Sequence, residues 1–226
     1  MYRRILVVTD NSLLCNRFYA LTQTLCWETL PPTFDYCCTV LSDFRKIAPE
    51  INPNIPLQMI DVKTEYLKII ANYDLVISAH CKQLFPKELV TQVKCINIHP
   101  GFNPYNRGWF PQVFSILNKL PLGATIHEID EELDHGNIIA QEEVKLTSYD
   151  TSISAYNRVI ETEMRLLEKH LQSIILKNNK SIKPISEGNI NYKKDFNKLC
   201  ALDMSKIMTL GEAIDLLRAL SHGEYQ

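Results

Sequence analysis

The chain has 226 residues, of which 46% are hydrophobic, and a formal net charge of -2 at neutral pH. This length and composition suffice for one sizeable core with a small appendage. The absence of a basic excess argues against a nucleic-acid-binding protein. No apolar run reaches the ~18 residues of a membrane span, so we expect no membrane contact.

Seven cysteines are present, an odd number, and no C-x-x-C pair occurs among them. This argues against both a disulfide framework and a zinc site. We expect reduced thiols packed as small hydrophobic groups, as in a cytoplasmic protein, and no metal.

Short apolar runs alternate with helix-period segments in the first half of the chain. They predict strands at 5–9, 36–41, 74–79 and 94–99, helices at 11–25 and 64–71, and a proline-rich loop at 48–56. The basic residues before the first run resemble the start of a signal peptide, but no cleavage site follows, so we interpret this run as a strand. Alternating strands and helices are typical of a parallel α/β sheet.

The second half has a different pattern. Segments 123–129 and 137–146 predict two paired strands joined by an acidic loop, and Asp150 is expected to cap a long helix with an apolar stripe from Ile153 to Ile174. A polar stretch follows residue 180. The pair Thr209 and Glu212 forms a capping-box pattern that predicts a final helix.

The chemistry is concentrated between residues 95 and 136. Asn97 and His99 close a predicted strand and, being two apart, share one face. An amide beside an imidazole at the carboxyl end of a parallel strand can polarise a carbonyl group and move a proton. Asp134 lies in the acidic loop, where a carboxylate beside the imidazole would orient it and keep it charged. Each feature taken alone is also compatible with a structural role.

Together these motifs resemble the folate-dependent formyltransferase family. The matching elements are Asn97-x-His99-Pro100, Gly123-x-Thr125-x-His127, Leu133-Asp134-x-Gly136 and Ile138-Ile139-x-Gln141. The resemblance covers roughly residues 1–178. It implies a Rossmann-like, mostly parallel sheet, with a catalytic domain at 1–180 and a short C-terminal extension at 181–226 that is a possible dimerisation element.

The segment from His99 to Ser115 resembles the branch that formylates dTDP-linked 4-amino-4,6-dideoxy sugars for O-antigen synthesis. The resemblance implies N10-formyltetrahydrofolate as formyl donor and a nucleotide-linked amino sugar as acceptor. Two alternatives stay open: an enzyme of the glycinamide ribonucleotide formyltransferase type, and a non-catalytic folate- or nucleotide-binding module.

The resemblance also assigns residues. It implies that Asn97, His99 and Asp134 are catalytic. The expected folate contacts are Lys82, Leu84, Asp130, Glu131, Glu132 and Leu133. The expected contacts to the nucleotide sugar are Asn11, Ser12, His80, Asn103, Tyr105, Arg107 and Trp109, although an ordinary helix-capping role is favoured for Asn11 and Ser12.

Overall fold

The computed structural model describes residues 1–223, and strands and helices alternate along most of that range. The strands are β1 (Arg4–Thr9), β2 (Thr33–Thr39), β3 (Gln58–Ile60), β4 (Leu75–Ala79), β5 (Lys94–His99), β6 (Arg107–Gly108), β7 (Leu122–Glu128), β8 (Ile138–Val144) and β9 (Ile190–Asn191). The α-helices are α1 (Ser12–Thr24), α2 (Phe44–Ile47), α3 (Tyr66–Asn72), α4 (Lys87–Gln92), α5 (Pro111–Asn118), α6 (Ser152–Ile175), α7 (Lys193–Cys200) and α8 (Leu210–Leu220). Residues 224–226, the end of the predicted extension, lie outside the described residues.

The main sheet has the strand order β3-β2-β1-β4-β5-β7-β8. Strands β1 to β5 pair in parallel, whereas β7 runs antiparallel to both β5 and β8. The direction of strand addition reverses between β1 and β4, and in open α/β sheets ligands bind at the carboxyl ends of the strands near such a reversal. The predicted α/β class with a mostly parallel sheet is confirmed.

Helices cover both faces of this sheet. Leu14 of α1 and Val159 and Leu167 of α6 pack on one face, and Ile69 of α3 and Leu89 of α4 pack on the other. Burying one such side chain stabilises the fold by about 1.5–3 kcal/mol. The two layers therefore hold the strand ends in fixed positions relative to each other.

Helix α6 begins one residue later than the predicted cap. Thr151, not Asp150, is the N-cap: its hydroxyl accepts from the Ser154 N–H, and the Ser154 hydroxyl accepts from the Thr151 N–H. Asp150 instead accepts from the backbone N–H of Thr147 at 2.6 Å and pairs with Arg158. Its carboxylate closes the turn before the helix.

The stretch after residue 180 is more ordered than its polar composition predicts. Strand β9 pairs in parallel with β6, and Phe196 of α7 and Ala219 of α8 pack against α5. Thr209 and Glu212 form the predicted capping box of α8. Within residues 1–223, no helix is long and apolar enough to cross a bilayer.

Candidate active site

A cavity of about 430 Å³ opens where β4 and β5 end. Polar side chains that line it include Ser78, Asn97, His99, His127 and Asp134. Apolar side chains that line it include Leu84, Phe85, Trp109, Phe110, Ile129 and Leu133. A concave site with convergent polar groups and apolar walls is typical of small-molecule binding.

The three residues expected to be catalytic meet in this cavity. Asn97 Nδ2 donates to Asp134 Oδ1 at 2.9 Å, and His99 Nδ1 lies 3.4 Å from Asp134 Oδ2. Strand β5 supplies the first two side chains, and the connection between β7 and β8 supplies the carboxylate. The antiparallel pairing places Glu128 of β7 opposite Ile96, so the connection starts beside the amino-terminal half of β5, and Asp134 then returns to contact Asn97 and His99.

Ser78 and His127 fix the amide of Asn97, and neither was singled out from the sequence as a site residue. The Ser78 hydroxyl donates to Asn97 Oδ1 at 2.7 Å, and His127 Nε2 lies 3.3 Å from Asn97 Nδ2. His127 Nδ1 lies 2.7 Å from the backbone oxygen of Glu128, which only accepts, so this nitrogen carries the proton. The register pairs Ser78 with Asn97 and Asn97 with His127 across three neighbouring strands. That alignment is the signal that would have identified both.

Two backbone contacts hold Asp134. Its φ of 49° is left-handed, a conformation that Asp tolerates better than most residues. The Gly108 N–H donates to Asp134 Oδ2 at 3.0 Å, and Asn103 Nδ2 donates to the Asp134 carbonyl at 2.9 Å. Gly108 has a φ of +89°, and a Cβ there would lie 2.4 Å from the Asn191 carbonyl oxygen of β9. Only glycine therefore fits between Asp134 and the C-terminal segment.

Burial sets the charge of the imidazole. It lowers the pKa of His99 to about 4, and the neighbouring Asp134 carboxylate offsets this only in part. Burial alone would raise the pKa of Asp134, but His99, His127 and the Gly108 N–H lower that pKa below its usual range. At neutral pH the site therefore holds a neutral imidazole beside a carboxylate, which differs from the charged His99 that we expected.

The residues expected to contact folate all line the cavity: Lys82, Leu84, Asp130, Glu131, Glu132 and Leu133. Leu84 is 57% exposed there, although it is a large apolar side chain. Lys82 Nζ donates to the Ser42 hydroxyl at 3.1 Å, and Glu131 pairs with Lys87 at the surface. Their roles in binding stay predictions.

The expected sugar-nucleotide contacts divide into two groups. His80 and Trp109 line the cavity. The lining residues do not include the other five: Asn11, Ser12, Asn103, Tyr105 and Arg107.

Those five residues have other contacts in the structure. Asn11 caps α1 and accepts from the Leu14 N–H at 3.0 Å, and the Ser12 hydroxyl bonds Glu50. Arg107 is only 8% exposed, and its Nη1 donates to the Leu133 carbonyl at 3.4 Å. The loop that carries Asn103 and Arg107 thus supports Asp134 from behind.

One buried atom identifies where a ligand fits. His99 Nε2 has no hydrogen-bond partner in the described part of the chain, and buried polar atoms without partners are rare. A Cβ at Gly101 would lie 2.4 Å from this nitrogen, so the glycine keeps the space beside it open. With apolar walls at Leu84, Phe85 and Ile129, the site fits a flat, partly apolar molecule with a carbonyl group at one end. No group of three or more His, Cys, Asp or Glu in residues 1–223 is arranged to hold a metal.

Comparison with known proteins agrees with this geometry. Residues 60–171 match the formyl transferase family, and residues 195–226 match the N-formyltransferase dimerization C-terminal domain. The dTDP-4-amino-4,6-dideoxyglucose formyltransferase of Mycobacterium tuberculosis is 48% identical over 174 residues, which are 77% of this chain and 74% of that protein.

Solved structures give the same result. The crystal structure of a 4-N formyltransferase from Francisella tularensis has a TM-score of 0.91 and 47% identity, and covers 98% of this chain and 89% of its own. A sugar N-formyltransferase from a Shewanella species has a TM-score of 0.89 and 44% identity with the same coverage. The expected family and the expectation of an enzyme are confirmed. The chain belongs to the sugar N-formyltransferases of the formyl transferase family.

Proposed function

We propose that the chain transfers the formyl group of N10-formyltetrahydrofolate to the amino group of a dTDP-linked 4-amino-4,6-dideoxy sugar. The observation that carries the proposal is the meeting of Asn97, His99 and Asp134 around an imidazole nitrogen that has no partner in the described residues. The 48% identity to an enzyme named for dTDP-4-amino-4,6-dideoxyglucose supports the choice of acceptor.

The donor supplies an N-formyl group whose carbonyl carbon is attacked by the amine. In the proposed roles, the Asn97 amide, oriented by Ser78, exchanges its longer N–H contact, 3.3 Å from His127 Nε2, for the carbonyl oxygen as negative charge develops there. One such donor is typically worth about 3–4 kcal/mol of barrier. His99 Nε2 takes a proton from the attacking amine and passes it to the departing nitrogen. Asp134 stabilises the imidazolium that His99 becomes, across the 3.4 Å contact.

The rest of the cavity surface supports the assignment of each substrate to its own side of the cavity. We assign the pterin end of folate to the side lined by Leu84 and residues 130–133, because two leucines give it apolar surface and three carboxylates supply hydrogen-bond acceptors. We assign the nucleotide sugar to the side of His80 and Trp109, where aromatic rings suit the base and the sugar face.

Formylation can be tested directly by mass spectrometry. We expect incubation with N10-formyltetrahydrofolate and dTDP-4-amino-4,6-dideoxyglucose to add one CO unit to the sugar nucleotide. His99→Asn should lower kcat by about 10²–10⁴-fold, the usual contribution of a general acid–base group. A matched control is His170→Asn, because His170 lies on α6 outside the cavity lining.

The alternatives predict different products. Preferential formylation of glycinamide ribonucleotide would favour the purine-pathway type of enzyme, and binding of both substrates without transfer would favour a non-catalytic module. The UDP-linked amino sugar, run in parallel, tests the choice of base. The O-antigen destination of the product and the cytoplasmic location stay predictions.

We propose further that the chain forms a homodimer through its C-terminal region. Leu210, Ile214 and Leu217 of α8 are 77%, 49% and 59% exposed although all three are apolar. The match of residues 195–226 to a dimerisation domain supports a second copy of this chain as the partner that would cover them.

A further inference from the structure

A carboxylate that the proposed mechanism does not use lies fully buried behind the cavity. Glu163 of α6 is 0% exposed, and both of its oxygens lie near His80 Nε2, at 2.9 and 3.1 Å. Burial raises the pKa of Glu163, and the His80 contact opposes that effect. A carboxylate is costly to bury and an apolar residue often serves stability as well, so the presence of Glu163 here needs another explanation.

His80 connects this carboxylate to the cavity. It directly follows β4 with a φ of 58°, a left-handed conformation that is uncommon for residues with a side chain and clusters at functional sites. A carboxylate facing Nε2 places the proton on Nε2, which leaves Nδ1 as an acceptor. The Tyr156 hydroxyl lies 3.2 Å from Nδ1 and donates to it. Tyr156 and Glu163 are seven residues apart on α6 and therefore share one helix face.

The chain of contacts from Glu163 through His80 to Tyr156 lies beside the catalytic residues. The register pairs Ala79 with Ile98, so His80 and His99 are the next residues on two adjacent strands. Both His80 and Tyr156 line the same cavity as His99. Two imidazole–carboxylate pairs therefore lie at one cavity: His99 with Asp134, and His80 with Glu163.

The chemistry of the acceptor gives the second pair a role. An alkyl amine is mostly protonated at neutral pH, so it must lose one proton before it attacks and a second one during transfer. His99 handles the second proton in the proposed function. An acceptor inside the cavity lets the enzyme use the protonated amine, the major form at neutral pH, since an ammonium nitrogen has no electron pair with which to attack.

We propose, on the basis of the proposed function, that Tyr156, His80 and Glu163 form a relay that takes the first proton from the sugar ammonium. An N–H bond of the ammonium breaks and its electron pair stays on nitrogen. The proton moves to the Tyr156 oxygen while the Tyr156 O–H proton moves to His80 Nδ1. The imidazolium that forms faces the Glu163 carboxylate, and the proton returns to water after the product leaves. Glu163 is a positioning residue, because it acts through His80.

Other titratable groups surround this relay and must be considered in a pH experiment. His99 of β5 is adjacent, and the His222 ring lies 5.2 Å from that of Tyr156. Burial lowers the pKa of His222. Asp10, beyond β1, bonds Thr39 and the Lys82 N–H instead of the relay.

The test is the pH dependence of kcat/KM for Tyr156→Phe and Glu163→Gln. At pH 7 we expect each variant to lose about 10²-fold, as is usual for a lost acid–base group. The deficit should shrink at least tenfold near pH 9.5, where water has already deprotonated the amine. His99→Asn should stay impaired at every pH, because it lacks a later step. Tyr149→Phe and Glu161→Gln, both at exposed positions, are the matched controls with parental rates.

A deficit of equal size at all pH values, or no deficit in Tyr156→Phe, would overturn the relay. Circular dichroism and the melting temperature report whether each variant folds. If Glu163→Gln does not fold, the pH dependence of Tyr156→Phe alone tests the relay. If the parental enzyme formylates no amino sugar nucleotide, the proposed function has failed. If it does so and the variants show no rescue by pH, only the relay has failed.

Discussion

Single residues in this site are fixed by contacts that leave little freedom. The carboxylate of Asp134 accepts hydrogen bonds from the Asn97 amide and the Gly108 N–H, and it lies 3.4 Å from His99 Nδ1. The network explains how a fully ionised carboxylate is retained in a buried position, because hydrogen bonds to the charged form compensate for lost water.

Asp134→Asn tests this at the scale of one residue. The amide has the same shape and can still accept from Gly108, but it cannot stabilise an imidazolium at His99. We expect kcat to fall by about 10²–10⁴-fold with little change in the KM of either substrate, measured by steady-state formyl transfer. The exposed Asp203→Asn is the control. A variant within threefold of the parental kcat would contradict the assigned role.

At the scale of elements, one histidine joins the Asp134 loop to the C-terminal segment. His135 Nδ1 lies 2.7 Å from Asp130, and its Nε2 lies 3.1 Å from Glu187. The bond to Asp130 raises the pKa of His135, and the charges of Asp130 and Glu187 add to the effect. The imidazolium form therefore holds the two segments together.

This contact predicts a pH-dependent stability. A raised pKa in the folded state means that the stabilisation is fully present below the ordinary His pKa of 6.5 and is lost as pH rises through the raised value. His135→Asn should lower the melting temperature at pH 5.5 by about 2–4 °C, as expected for about 1 kcal/mol in a chain of this size. The difference should vanish at pH 9. A difference that is the same at both pH values would rule out the imidazolium as its cause.

How far the sequence predicted these elements depended on how local their signals are. Strand β5 was predicted with its correct ends because an apolar run interrupted only by Asn97 stops at His99. Helix α7 was missed because only Phe196 among its residues is buried, so no apolar stripe marks it. Short elements such as α4 and β6 likewise leave no periodic pattern. The catalytic residues were found by resemblance, whereas the contact of His80 with Glu163 joins positions 83 apart along the chain and needs the fold.

At the scale of the whole molecule, the exposed side of α8 determines the predicted assembly. Leu217→Asp together with Ile214→Asp should convert a dimer of 26.1 kDa chains into monomers in light scattering, because charges cannot be buried unpaired between two copies. Asn157→Asp adds one negative charge, against two in the double variant, at an exposed position of α6 and should leave the mass unchanged. A parental protein that already measures as a monomer would refute the dimer.

The close approach of Gly108 to Asn191 has a consequence for how such enzymes can diversify. The amide that steadies Asp134 sits on a backbone that the tail braces from its other side, through the Trp109 N–H to the Asn191 oxygen at 2.9 Å. A lineage that exchanged its tail by recombination would inherit an intact sheet and a loosened carboxylate. New tails in this architecture must therefore rebuild that brace, so a tail cannot be exchanged without affecting the position of the Asp134 carboxylate.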